Sequence, residues 1–266
     1  MALLQNPQIQ SIHVYPVKSL AGVEVQEWEL DAWGLRGDRR YMLVDERGLF
    51  MSQRSHPAMA QFTVRWHAAN WHVASDDGRS LELPVVPDSF DYTMKVKVWD
   101  SVFEAGHISE ESDNFFTAVL GVTCKLVGVL PQSPRLEGDG IEKWKVAMSD
   151  ASPLLIISVA SLEALNGELR RTGNSPVGMQ RFRPNIVLAG TEPFIEDRTS
   201  TIIWGNTTLK YIKRCSRCVM INLNEEGHFD SEPLRTLATF RREAGKVFFG
   251  AHYRAVEWGR LNTGKA

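Results

Sequence analysis

The chain has 266 residues, 43% of them hydrophobic and 23% charged, with 30 basic and 32 acidic residues for a net charge of −2. That length buries a full core as one large or two small domains, and the balanced charge offers no basic field for a nucleic-acid polymer. Three cysteines, two of them separated by only two residues, exclude a disulfide scaffold and fit a reducing compartment. The N-terminus has neither the basic start nor the apolar stretch of a signal peptide, and the longest apolar run, Leu154 to Ala160, is too short to span a bilayer. A cytoplasmic protein with no membrane association is expected.

The first half reads as strands, with period-2 alternation in Ile12-His13-Val14, Val23-Glu24-Val25 and Lys95-Val96-Lys97-Val98. Turn chemistry at Asp45-Glu46-Arg47-Gly48 and Asp76-Asp77-Gly78 suits an antiparallel meander or barrel. One helix interrupts it: Ser109 or Ser112 serves as cap, Glu110, Glu111 and Asp113 favour the N-terminal dipole, and Gly121 ends the apolar stripe of Phe115, Phe116, Val119 and Leu120. Pro131 to Gly140 has linker composition, so a domain boundary is placed there, between residues 1–130 and 141–266.

Beyond the boundary the pattern becomes an α+β mixture. A helix capped by Ser161 carries Leu162, Leu165 and Leu169 and ends near Gly173, and a further helical stretch runs from Pro233 to Arg242. Strands are expected over residues 185–189, 201–204 and 209–212, and again from Cys218 through Asn224.

The segment Arg214-Cys215-Ser216-Arg217-Cys218 is a lone Cys-x-x-Cys between arginines, and a nearby guanidinium favours the thiolate that attacks or binds a soft metal. Four readings of it compete. A thioredoxin-like motif needs a helix at the first cysteine, where the sequence reads as strand; a zinc site needs four ligands, and Cys124 brings no second thiol or histidine. Two inert buried cysteines, or one thiolate ligand for a metal cofactor, complete the set.

Other segments put polar or cationic groups at strand ends: Tyr15-Pro16-Val17-Lys18-Ser19, Leu35-Arg36-Gly37-Asp38-Arg39-Arg40 and Arg181-Phe182-Arg183-Pro184-Asn185. An ammonium beside a hydroxyl suits a phosphate, a guanidinium binds one through two hydrogen bonds, and an amide reads a heterocycle. Taken singly, each is as readily a surface charge or an ion-pair partner, and Ser149-Asp150-Ala151-Ser152-Pro153 reads as a turn. No Gly-rich phosphate loop and no Gly-x-Ser-x-Gly motif occurs.

In their order and spacing these segments resemble the MOSC superfamily, in the branch with an N-terminal β-barrel extension that includes the mitochondrial amidoxime-reducing component and its bacterial relatives. Tyr15 to Ser19, Gly34-Leu35 with Asp38-Arg39, Ser52-Gln53-Arg54, Ser149 to Pro153, Ser161-Leu162 with Leu165-Asn166, Arg181 to Asn185, Glu196-Asp197 and Arg217-Cys218 carry the resemblance. It implies a strand-rich α+β chain: a MOSC-type β-barrel preceded by a β-rich extension whose first hairpin packs with the C-terminal barrel.

The resemblance also implies a molybdenum cofactor, molybdopterin, and no pyridoxal phosphate. Cys218 would be the thiolate on the metal; Lys18, Ser19 and Arg39 would hold the cofactor's phosphate; Asp150, Ser152, Arg183 and Asn185 would surround it, with Asp150 relaying a proton. The implied activity is an oxidoreductase that reduces small N-hydroxylated compounds (hydroxylamines, amidoximes, N-hydroxylated bases) to amines. Its electrons would come from a separate donor, a reductase or an iron–sulfur protein, since the chain has no cysteine set for a cluster. The alternative is a non-reducing sulfur carrier or cofactor-binding protein. Two departures from the family pattern stand out: Ala151 replaces a frequent hydroxyl residue, and the end at Ala266 leads one to expect a MOSC domain truncated at its C-terminus.

Overall fold

Five consecutive buried residues, Leu154 to Ser158, form the strand around which the main sheet is organised. A continuous apolar run of this kind marks a strand buried on both faces. The structure is a computed structural model that describes residues 2–138, 142–150, 152–224 and 227–264. Its contacts divide the chain into two compact units, each assembled from separated stretches. The first comprises Met1–His13, Glu24–Leu35 and Ser152–Ala266; the second comprises Val14–Val23 and Arg36–Ala151.

The first unit holds a nine-stranded sheet in the order Ala2–Gln5, Thr199–Trp204, Thr207–Arg217, Lys246–Glu257, Leu154–Ser158, Ile186–Ala189, Gln8–Val14, Val23–Val25, with Arg242–Glu243 paired off the path to Lys246–Glu257. Most pairs are antiparallel, but Leu154–Ser158 runs parallel to Ile186–Ala189. A parallel pair needs a crossover, supplied by the helix Val159–Arg171, here α2. The strand Lys246–Glu257 approaches its neighbour closely at Gly250. There φ is +75°, and a Cβ would lie 2.6 Å from Ile157 Cγ1 and 2.9 Å from Ile156 O. Only glycine satisfies both the backbone angle and the space.

Helix α2 starts one turn earlier than the sequence suggests. Ser158, the last strand residue, is the N-cap and accepts a hydrogen bond from the Ser161 backbone N–H at 3.1 Å. The Ser161 hydroxyl instead donates to Glu196 at 2.8 Å and accepts from the Phe194 N–H. Leu165 and Leu169 of α2 pack with Leu155, Ile157, Phe182, Cys215, Leu237 and Phe249 into one core; Leu237 belongs to the short helix Leu234–Phe240, α3.

The second unit contains a four-stranded antiparallel sheet in the order Tyr92–Val98, Ser101–His107, Lys125–Val129, Tyr41–Val44, and a three-stranded sheet of Thr63–His67, Asn70–Ala74 and Ser80–Pro84. The helix Glu110–Leu120, α1, has Ser109 as N-cap and ends at Gly121 in the left-handed region, as its sequence predicts. In the Asp45–Gly48 turn one Asp45 oxygen accepts from the N–H groups of Arg47 and Leu49, at 2.9 and 2.8 Å.

The protein is therefore a strand-rich α+β chain. Among the described residues no sheet closes on itself. Closure requires the two end strands to pair, and the main sheet ends in the short strands Ala2–Gln5 and Val23–Val25. No described helix is long and apolar enough to cross a membrane.

The segment after the cysteines differs from the sequence reading. The strand Thr207–Arg217 ends before Cys218, and Val219–Asn222 forms a single 3-10 turn rather than a new strand. Two interactions fix the turn: Ile221 is buried in the core, and the Asn222 side chain accepts a hydrogen bond from the Leu234 N–H at 2.9 Å. Ala151 and residues 139–141 of the linker-like stretch lie outside the described residues.

Candidate functional site

In the second unit, Lys18, Asp38, Arg39, Arg135 and Asp150 come together from stretches far apart in the chain. The bend at Pro16 carries Lys18 to the backbone of the strand Tyr41–Val44, where its N–H donates to Tyr41 O at 2.8 Å. The next residue, Ser19, is half-buried with a φ of +68°, and Arg39 has a φ of +47°; both are left-handed conformations that non-glycine residues seldom adopt. Such conformations cost about 1–3 kcal/mol each and persist where the surroundings over-determine them.

The determinants are polar. Asp38, buried, accepts from the Tyr15 N–H at 2.8 Å through one oxygen and from Arg39 Nη1 at 2.6 Å through the other. The Arg39 guanidinium lies over the Tyr15 ring, 4.5 Å from its centroid. The Lys18 ammonium, in a side chain only 7% exposed, donates to Asp150 Oδ1 at 2.5 Å and sits 5.2 Å from the Phe50 ring centroid.

Burial is the largest influence on Lys18 and lowers its pKa; Asp150 opposes that shift, while Arg39 and Arg135 reinforce it. For Asp150 burial works against ionisation, yet the Lys18 ammonium, the Trp99 indole N–H and Arg39 together hold its carboxyl down at about 2. Asp150 is thus ionised at neutral pH and serves as the counter-ion of Lys18.

Three contributors to this cluster went unassigned in the sequence. Trp99, left-handed at φ +53°, donates from Nε1 to Asp150 Oδ1 at 3.0 Å. Arg135, buried, donates to Ser149 O at 2.6 Å and Asp150 O at 3.2 Å, holding the turn from behind. Asp38 positions Arg39. Only Asp38 left a trace, an acid inside a basic turn; Arg135 was hidden by the linker composition around it.

The three cysteines' fates separate. Cys215, within the strand, is buried in the core beside Phe182 and Phe249, whereas Cys218, just past the strand end, is exposed; Cys124, in the second unit, is buried and its thiol pushed up to about 11 by burial. With Cys215 inside a strand, the helix start that a thioredoxin-like pair requires is missing. The flanking arginines are engaged elsewhere. Arg214 pairs with Glu243 at 2.7 Å, and Arg217 donates to the carbonyls of Phe249 and Phe182 at 2.8 and 3.1 Å.

Of the other first-unit candidates, Ser152 is buried, and Arg183 is half-buried with a φ of +53° as it ends the turn Met179–Phe182. Asn185 is buried and ties three segments together: its Oδ1 accepts from Leu155 N at 3.1 Å and its Nδ2 donates to His13 O at 3.2 Å. Among the described residues no three His, Cys, Asp or Glu side chains cluster as a metal site. A metal bound through Cys218 would draw its remaining ligands from a cofactor.

Two family descriptions match the chain: "MOSC N-terminal beta barrel domain" over residues 6–123 and "MOSC domain" over residues 143–266. The mitochondrial amidoxime-reducing component 1 of Mus musculus is 29% identical over 251 residues, covering 90% of this chain and 73% of the relative. The molybdenum cofactor sulfurase of Oryza sativa subsp. japonica is 29% identical over 261 residues, and that of Danio rerio 31% over 273; these cover 91% and 96% of this chain. The chain spans 32% of the length of either sulfurase. With both domain descriptions matched in order along the chain, it belongs to the MOSC family.

Proposed function

We propose that the chain binds the molybdenum cofactor and reduces small N-hydroxylated compounds to amines, with electrons from a separate donor protein. The single observation that carries this reading is the placement of Cys218, the one exposed thiol of the three cysteines, at the mouth of a strand whose other cysteine is packed in the core. Relatives named as amidoxime-reducing components and molybdenum cofactor sulfurases support it.

The residues fit the group. An exposed thiol is a soft donor suited to molybdenum, and a buried ammonium beside a left-handed serine and arginine suits a phosphate. Cys218 would ligate the metal, Lys18, Ser19 and Arg39 would hold the phosphate, and Ser152 and Arg183 would contact the pterin. Asn185 would act through the backbone it braces, and Asp150 would fix the Lys18 ammonium in place. When bound, the cofactor supplies a metal that cycles between oxidation states. The overall reaction takes two electrons and two protons, breaks the N–O bond and releases the amine and water. The side chains orient the cofactor and the substrate's N–O group and hold the charges that fix them.

The test is molybdenum content, by elemental analysis, of protein made with molybdate in a host that synthesises the cofactor, together with benzamidoxime reduction by dithionite-reduced methyl viologen. Near-stoichiometric metal and turnover are expected in the wild type and Cys215→Ser, and loss of both in Cys218→Ser. Metal without turnover would favour the sulfur- or cofactor-carrier reading that the sulfurase relatives suggest. No metal in any of the three, under conditions that fill a known molybdoenzyme, would overturn both.

A further inference from the structure

The end of the strand Thr207–Arg217, the helix α3 and the hairpin Arg242–Glu243 with Lys246–Glu257 enclose a pocket of about 540 Å³ in the first unit. That is the size range of small-molecule sites. Its polar lining is one-sided: Arg217, Arg235, Arg242 and Lys246 supply four cations, Ser216 and Ser231 add hydroxyls, and among the described residues no carboxylate lines it.

Two acids next in sequence to lining residues are already engaged. Glu232 accepts from Arg235 at 2.7 Å and from the Thr236 N–H at 2.9 Å, and Glu243 pairs with Arg214 at 2.7 Å. Arg235 thus has a counter-ion, while the described lining residues keep an excess of positive charge. Arg217 adds a sharper sign. Its Nε and Nη1 are bonded to backbone carbonyls, but its Nη2 is buried without a hydrogen-bond partner. A buried guanidinium N–H left unsatisfied costs about 1–3 kcal/mol, a penalty that an incoming acceptor relieves. The apolar side chains of Leu234, Ala238 and Val247 complete the lining.

We propose that this pocket binds the carboxylate or phosphate of an N-hydroxylated substrate, so that the preferred substrates are anionic. The proposal rests on the reductase reading above, and the pocket's Arg217 immediately precedes Cys218 in the chain. Arg217 and Cys218 are consecutive residues, with Cα atoms about 3.8 Å apart across a trans peptide. A planar guanidinium grips such an anion through paired hydrogen bonds, and the apolar lining accommodates its ring or chain.

The test uses cofactor-loaded protein and two substrates, benzamidoxime and 4-carboxybenzamidoxime, with reduced methyl viologen as donor. In the wild type kcat/KM should favour the carboxylated compound by about tenfold or more. In Arg242→Gln with Lys246→Gln that ratio should fall to about one, chiefly through KM, and Arg242→Lys with Lys246→Arg should restore it. Both residues are exposed, and a thermal melt checks that the fold is kept.

Calorimetric titration of 4-carboxybenzamidoxime, competed by inorganic phosphate, reads binding without turnover. Binding that is lost in the double glutamine variant, with no reduction of either compound, would sustain the pocket and sink the reductase reading. Reduction of both compounds with an unchanged ratio would do the opposite. Phosphate binding that is abolished by Lys18→Met and untouched by the double variant would assign the anion to the other cation cluster and overturn the inference.

Discussion

The two cation clusters solve opposite problems. Around Lys18 the positive groups are buried or half-buried and each meets an acid or a carbonyl: Lys18 meets Asp150, Arg39 meets Asp38 and Arg135 meets Ser149 O, although Arg135 Nε and Nη1 are left without a hydrogen bond. Around Arg217 the lining cations outnumber the acids engaged with them. Unpaired charge is costly to bury, so the inner cluster carries its own carboxylates; at the rim Arg242 and Lys246 are exposed and form no ion pair among the described residues. The lesson is one of competition. An anion arriving at Lys18 must displace or share with Asp150, whereas one arriving at Arg242 and Lys246 meets water.

The largest expected effect tests whether the core fixes the open cluster. Phe249 is fully buried with its ring centroid 4.4 Å from that of Phe182, and these two residues supply the backbone carbonyls that hold Arg217. Phe249→Ala should destabilise the protein by about 3–5 kcal/mol in urea melts. A loss below about 1 kcal/mol would mean that the core refills and does not set the position of Arg217.

Next, Lys18→Met opens the closed cluster. The Asp150 carboxyl should rise from about 2 toward its ordinary 3.8, read by carbon NMR titration, and cofactor retention should fall about tenfold or more. The sign for stability follows. A carboxyl depressed in the folded state contributes stability that is present above pH 3.8 and lost as the pH falls toward 2. That acid-labile component should vanish in the variant. If Asp150 stays near 2, Trp99 and Arg39 suffice and Lys18 is not its partner in solution.

The smallest effect concerns a buried acid with no cation partner among the described residues. Glu196 is fully buried, takes a hydrogen bond from Ser161, and has its pKa raised, first by burial and also by Asp197. A raised carboxyl costs stability as the pH climbs above 4.5 through the folded-state pKa. Glu196→Gln should therefore gain Tm over the wild type at pH 8 compared with pH 5, at about 2–4 °C per kcal/mol for a chain of this size. An equal difference at both pH values would show that Glu196 does not titrate with folding.

Local signals were legible where one residue decides the outcome. Ser109 with Gly121 bounded α1, and Asp45 with Gly48 made their turn, because capping and positive φ depend on the residue itself. The segment after Cys218 was misread because a short apolar run does not distinguish a strand from a 3-10 turn; a distant partner, the Leu234 N–H, decided it. Ser158 and Ser161 offered two equivalent caps, and Glu196, 35 residues beyond Ser161, took one hydroxyl away. The Lys18–Asp150 pair spans 132 positions, so no spacing rule reveals it; the family resemblance named both residues but not the ion pair between them. Trp99 gave no signal at all, since an exposed tryptophan in a turn reads as incidental.

The interleaving of the two units also sets a timetable for synthesis. The strand Gln8–Val14 is among the first segments made, yet its register partner for Ile12 is Ile186, and the central strand Lys246–Glu257 comes near the end. At about 5–20 residues per second the early strand waits roughly 10–35 s with an unpaired, apolar edge. The second unit's longest stretch, Arg36–Ala151, is made within that interval. Nascent chains halted before residue 186 should therefore be bound by chaperones through the N-terminal strand, and release should coincide with completion of the chain rather than with completion of its first half.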